Sequence, residues 1–204
     1  PHQESFYTDL LAALRDIRER EDLDGDRYIE LIAVFVQSIP YKTDALAIEP
    51  KFPIETYVDG EGDCDDKSLL LAALLAREGY GTALFYFEEE EHMAVGVKST
   101  GCCYLNTSYA YIETTNTSYV GISPVALADG TYLSSEPLVI PVGDGDGFYT
   151  ASGEVGVIER ALTLSRDRVE EFNEKLVVRT RELEADREAL AALDARMAEL
   201  SRSG

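Results

Sequence analysis

Apolar residues Leu10, Leu11, Leu14 and Ile17 recur at helical spacing and predict a first helix, which gives way to the charged, glycine-containing stretch 19–26. Asp26 reads as the N-cap of a second helix carrying Ile29, Ile32, Ala33 and Phe35 to Gln37, with Pro40 as the stop. Residues 41–62 hold Pro50, Pro53 and Gly60 but no sustained period, so a long ordered loop is expected there. A third helix should start near Cys64, bury Leu69, Leu70, Ala73 and Leu74, and end at Gly79, where a glycine can take the left-handed conformation that closes a helix. Segments 82–87, 93–98, 102–106 and 109–114 are short, rich in Val, Tyr and Phe, and separated by turn residues, which predicts an antiparallel sheet. Residues 116–153 read as irregular chain with one edge strand around 138–140.

The pattern changes near residue 154. Leu162, Val169, Leu176, Leu183, Leu190 and Met197 repeat every seven residues and predict one long helix. The companion heptad position holds Ser165, Phe172, Arg179, Asp186, Leu193 and Leu200, so part of the seam is polar. Two readings stay open: a coiled-coil contact with another copy or a larger protein through residues 158–200, or a helix folded back on its own domain. The expected organisation is therefore a domain at 1–153 followed by a long helix at 154–204.

Composition narrows the partners. Thirty-nine acidic against 18 basic residues give a net charge of -21, which disfavours nucleic acid and anionic membrane surfaces. The basic residues are mostly Arg, and an acid-rich, lysine-poor surface suits a protein kept in solution at high salt. Three cysteines, two of them the neighbours Cys102 and Cys103, do not form a disulfide framework. With no long apolar run, the chain is expected to be soluble; an extracytoplasmic place stays open, because a leader or anchor could have preceded Pro1.

The candidate chemistry centres on Cys64, in the run Gly62-Asp63-Cys64-Asp65-Asp66-Lys67 where loop becomes helix. Unpaired N–H groups and the positive helix end favour a thiolate there, and the same N–H groups can stabilise an oxyanion. His92 is the one candidate base outside the N-terminal segment, at the start of an apolar strand, and Glu113 lies on the next strand, where it could fix the imidazole tautomer. Each residue alone has an ordinary structural reading; the constellation Cys64, His92, Glu113 is what points to a cysteine nucleophile. Gln37 could supply an oxyanion donor. Asp63, Asp65 and Asp66 would oppose the thiolate unless they cap the helix, pair with a basic residue or hold a cation such as calcium. The alternating Asp22, Asp24 and Asp26 lack the glycine and glutamate of a calcium loop and read as a solvated turn, and the run Gly143-Asp144-Gly145-Asp146-Gly147 reads as a flexible one.

Over residues 35–115, this pattern resembles the archaeal transglutaminase-like domains. The residues carrying the resemblance are Val36-Gln37-Ser38-Ile39-Pro40-Tyr41, Phe52-Pro53-Ile54-Glu55-Thr56, the Gly62–Lys67 run, Gly79-Tyr80, His92-Met93-Ala94-Val95-Gly96-Val97 and Tyr111-Ile112-Glu113-Thr114-Thr115. The resemblance implies an α+β, papain/transglutaminase-like core, a nucleophile helix packed on an antiparallel sheet, with Cys64, His92 and Glu113 as the triad. It also implies action on peptide, isopeptide or glutamine amide bonds of a protein or peptide substrate. No cofactor is required by it, and calcium is implied through similar bacterial transglutaminase-like proteinases. The chain departs from the family in having Glu where Asp is commoner, and in lacking Trp, so the tryptophan that assists the oxyanion in animal transglutaminases has no counterpart. The alternative is a catalytically silent module that recruits partners through its C-terminal helix.

Overall fold

The computed structural model describes residues 2–43, 49–127 and 130–202. The chain divides into two compact units, Pro1–Gly156 and Val157–Gly204. In the first, helices α1 (His2–Arg20), α2 (Gly25–Gln37), α3 (Pro53–Asp59) and α4 (Cys64–Arg77) precede strands β1 (Gly81–Phe87), β2 (His92–Lys98), β3 (Tyr109–Ile112) and β4 (Leu138–Asp144). The strands form one antiparallel sheet in the order β3-β2-β1-β4, so the architecture is α+β. The second unit is the body of α5 (Ser152–Arg202).

α4 lies centrally, packed on β1, β2 and β4 and flanked by α2 and α3. Its buried apolar face is Leu70, Leu71, Leu74 and Leu75 rather than the expected Leu69, Leu70, Ala73 and Leu74. The stripe is displaced because the sheet and α2 cover it from two sides, burying Lys67 and Ser68 as well. Phe85, Phe87, Ala94 and Tyr111 form the aromatic core of the sheet.

Several expected boundaries move. Asp24, not Asp26, caps α2 by accepting the Arg27 N–H at 2.9 Å, while Asp26 accepts from the N–H and hydroxyl of Thr150. The expected loop 41–62 contains α3, which opens on Pro53, where a missing N–H costs nothing, and closes at Gly60 with φ +68°; residues 44–48 of that loop lie outside the described residues. Residues 102–106 are not a strand: Tyr104 donates its N–H to the Tyr109 carbonyl and Leu105 takes φ +46°, which makes the segment a turn. β4 runs past the expected 138–140 and admits Pro141 because it is an edge strand with an irregular register opposite Thr82 and Ala83. The glycines after β4 are not a free turn. Gly147 and Gly79 backbones bond at 3.0 Å, and a Cβ on Gly145 would meet the Gly79 carbonyl oxygen at 2.1 Å.

No helix among the described residues is long and apolar enough to cross a membrane.

Candidate active site

Cys64 is the first residue of α4, half-buried, and its placement follows from the cap that precedes it. The Asp63 carboxylate accepts the Asp66 N–H at 3.3 Å, and the Asp66 carboxylate reaches back to the Asp63 N–H at 3.4 Å. This reciprocal box satisfies helix-start donors and holds the chain entry rigid. Of the remaining first-turn N–H groups, that of Lys67 goes to the Asp63 carbonyl, leaving those of Cys64 and Asp65 beside the thiol.

The strand side is fixed separately and then clamped to the helix. The buried Ser68, one turn after Cys64, donates to the Met93 carbonyl at 3.1 Å and lies 3.1 Å from the Thr114 hydroxyl, which donates to the Cys64 carbonyl at 3.5 Å. The start of α4 is thereby tied to β2 and to the chain leaving β3. His92 opens β2 with its ring buried and tilted against Phe87, the centroids 6.0 Å apart. Its Nε2 lies 3.5 Å from Glu113 Oε2 and 3.3 Å from the Tyr111 hydroxyl, and the ring also hydrogen-bonds with Cys64. The Cys64 thiol in turn lies 3.9 Å from the Glu91 carbonyl.

Glu113, just past β3, is fully buried and has both oxygens engaged. Oε1 accepts the N–H groups of Thr114 and Thr115 at 3.0 and 2.8 Å and the Thr115 hydroxyl at 2.7 Å, while Oε2 accepts the Tyr111 hydroxyl at 2.8 Å. Burial works against charging either partner of the His92–Glu113 pair. For His92, hydrogen bonds with Cys64 and Glu113 and their charges outweigh burial and push the ring up to about 9. For Glu113, the His92 hydrogen bond and charge, joined by the Thr115 donors, outweigh burial and hold the carboxyl down at about 2. Both shifts run in the direction that favours an imidazolium–carboxylate pair. Burial, followed by the Glu113 charge, raises the Tyr111 hydroxyl, so it remains a donor.

The expected oxyanion role of Gln37 is not available in this arrangement. Its Nε2 donates to the Glu113 carbonyl at 2.8 Å and the Ser118 carbonyl at 3.0 Å, which occupies both amide hydrogens. Gln37 instead holds the chain on either side of the 114–117 segment. Beneath it, the fully buried Lys67 ammonium donates to the Gln37 and Ile39 carbonyls at 3.2 and 2.7 Å; burial lowers it to about 8 against the attraction of Glu113.

Asp63, Asp65 and Asp66 bring one carboxylate oxygen each to within 4.8 Å of one another. Burial, then the hydrogen bond and charge of Asp65, push Asp63 up to about 6. Asp66 is stabilised by the Lys51 backbone N–H at 2.6 Å rather than by the expected ion pair; the Lys51 ammonium pairs with Asp59 at 3.0 Å.

Cys64 and His92 line a cleft of about 90 Å³ with Tyr41, Glu90, Glu91, Thr115 and Leu127. Glu90 anchors its rim: it accepts N–H groups from Ser134 and Ser135 at 2.9 Å each and hydroxyls from both, which together hold its carboxyl at about 2. Reading of the sequence missed Tyr111, Ser68, Lys67 and Thr115. Ser68 alone had a signal, its one-turn spacing from Cys64 on the same helix face.

No protein-family model matches the chain, and no curated protein matches it. Among solved structures, the chain is similar to Legionella pneumophila LapG, at 18% identity over 58% of this chain and 64% of that one, with a TM-score of 0.38. A calcium-bound LapG structure matches at 18% identity over 56% and 61% of the two chains (TM-score 0.35), and an EGTA-treated one at 19% over 58% and 62% (TM-score 0.36). The chain thus spans less than two thirds of the LapG chains it matches.

Proposed function

We propose that this chain is a transglutaminase-like cysteine hydrolase or acyl transferase acting on peptide, isopeptide or glutamine amide bonds. The observation that supports this best is the buried imidazole of His92, held between the Cys64 sulfur and the Glu113 carboxylate. In the proposed reaction, the Cys64 sulfur bonds to the amide carbonyl carbon while His92 gives its proton to the departing nitrogen, and the C–N bond breaks to leave a thioester. Water, or an amine, then attacks the thioester as His92 takes its proton; the C–S bond breaks and the sulfur returns to its starting state. The N–H groups of Cys64 and Asp65 are the proposed oxyanion donors, since Gln37 has no hydrogen to give. A cleft of about 90 Å³ has room for an acyl group beside the sulfur, with the rest of a peptide or protein substrate outside.

Calcium is proposed at the acidic cluster. Oxygens within 4.8 Å of one another suit an ion whose oxygen ligands stand about 2.3–2.6 Å away, and the crowded charge on Asp63 gives it something to neutralise. Asp63, Asp65 and Asp66 would hold the ion, which would supply charge compensation next to the nucleophile.

Alkylation tests the central reading. With limiting iodoacetamide near neutral pH, Cys64 should be labelled before Cys102 and Cys103, and His92→Ala should abolish that preference. An amide substrate turned over by the wild type should survive Cys64→Ala. Equal labelling of the three cysteines, or activity retained by Cys64→Ala, would remove the enzyme reading.

A further inference from the structure

Within the second unit, α5 carries an unbroken line of exposed apolar side chains. Val169, Leu176, Leu183 and Leu190 are 54%, 54%, 50% and 60% exposed, and Phe172, on the companion heptad position, is 64% exposed. A patch of this kind on one helix face is what a partner helix covers. The side chains of Leu193, Met197 and Leu200, which continue the heptad positions, lie outside the described residues.

The two charged residues on the seam, Arg179 and Asp186, select the occupant and its direction. In a parallel, in-register pair of identical helices, each seam residue meets itself, so Arg179 would face Arg179 and Asp186 would face Asp186 in a desolvated layer. Reversing one helix removes both conflicts. With Leu183 opposite Arg179 of the second copy, Leu176 faces Asp186 and Phe172 faces Leu190. Arg179 then lies three residues from the level of Asp186 in the other helix, about 4.5 Å at 1.5 Å per residue, and two-fold symmetry makes that contact twice. In the single chain, Arg179 Nη1 donates to Glu182 Oε2 at 2.8 Å. Glu182 would sit near its own counterpart at the two-fold axis, where that Arg179 already neutralises it. A parallel pair would gain a Glu182–Arg187 contact instead, but this lies on the solvent-screened rim and counts for less than like charges in the seam.

We propose that α5 is a homodimerisation helix that pairs antiparallel with α5 of a second copy, its direction set by the Arg179–Asp186 complementarity. This is independent of the proposed chemistry, because the contact uses no residue of the Cys64 cleft.

The test is sedimentation equilibrium of the full chain at neutral pH and low salt, with Arg179→Asp, Asp186→Arg and the double exchange compared with wild type, and far-UV circular dichroism confirming the helix in each. The wild type should be dimeric. Each single variant brings like charges together twice and should raise the dissociation constant at least about tenfold; the double exchange restores opposite charges and should return it to within about threefold of wild type. A monomeric wild type overturns the proposal. So do single variants that dimerise as well as wild type, which is the parallel outcome, or a double variant no better than the singles.

Discussion

Replacing Glu113 with Gln removes one charge from the centre of the site while keeping the size of the side chain. In the native site His92 is pushed from 6.5 up to about 9, a difference that corresponds to about 3 kcal/mol in favour of the imidazolium. The Cys64 hydrogen bond is the largest of the contributions that raise it, with Glu113 supplying the next two, so the substitution takes away part of this amount. The midpoint of His92 should fall by at least about one pH unit, or about 1.4 kcal/mol. A raised histidine contributes stability that is fully present below 6.5 and is lost as pH rises through about 9. A depressed carboxyl contributes stability that is present above 4.5 and is lost as pH falls through about 2. Glu113→Gln should therefore lose most stability relative to wild type between about pH 4.5 and 6.5, with the gap narrowing above pH 9. Proton NMR of the imidazole resonances across pH 5–10, assigned with His92→Ala, measures the midpoint, and urea unfolding at pH 5.5 and 9.5 measures the window. A His92 midpoint near 6.5 in the wild type, or one unmoved by Glu113→Gln, would refute the reasoning.

Two further outcomes are expected. Ser68→Ala removes the buried hydroxyl that joins α4 to the Met93 carbonyl and Thr114, and should cost about 1–3 kcal/mol in urea unfolding. Cys64 alkylation should slow with it, whereas an unchanged unfolding midpoint would deny the clamp. Calcium should raise the thermal midpoint of the wild type and displace the Asp63 proton near pH 6, and neither effect should survive Asp63→Asn with Asp65→Asn; a wild type indifferent to calcium up to millimolar concentration ends the metal reading.

What could be read from the sequence is what each segment declares about itself. Cys64 was legible because a Gly-Asp-Cys-Asp-Asp run before an apolar helix marks a helix start, and His92 because a lone histidine opens a strand of small and branched residues. α3 was missed because seven residues hold barely two turns, too short for an apolar period, although Pro53 and Gly60 bracket it in the usual sense. Roles set by a second segment were not legible. Gln37 has the right amide for an oxyanion donor, yet the carbonyls of Glu113 and Ser118, 76 and 81 residues away, take its hydrogens. Lys67 looks like a solvated lysine until the end of α2 and the chain just after it deliver the carbonyls of Gln37 and Ile39 to its ammonium. Tyr111 reads as a strand aromatic, but its hydroxyl occupies the Glu113 oxygen nearest His92. The geometry around Cys64, His92 and Glu113 thus rests on neighbouring polar side chains, and Gln37 and Lys67, which are held by chain remote in sequence, are the positions where a substitution conservative by type should disturb the thiol–imidazole pair without touching it.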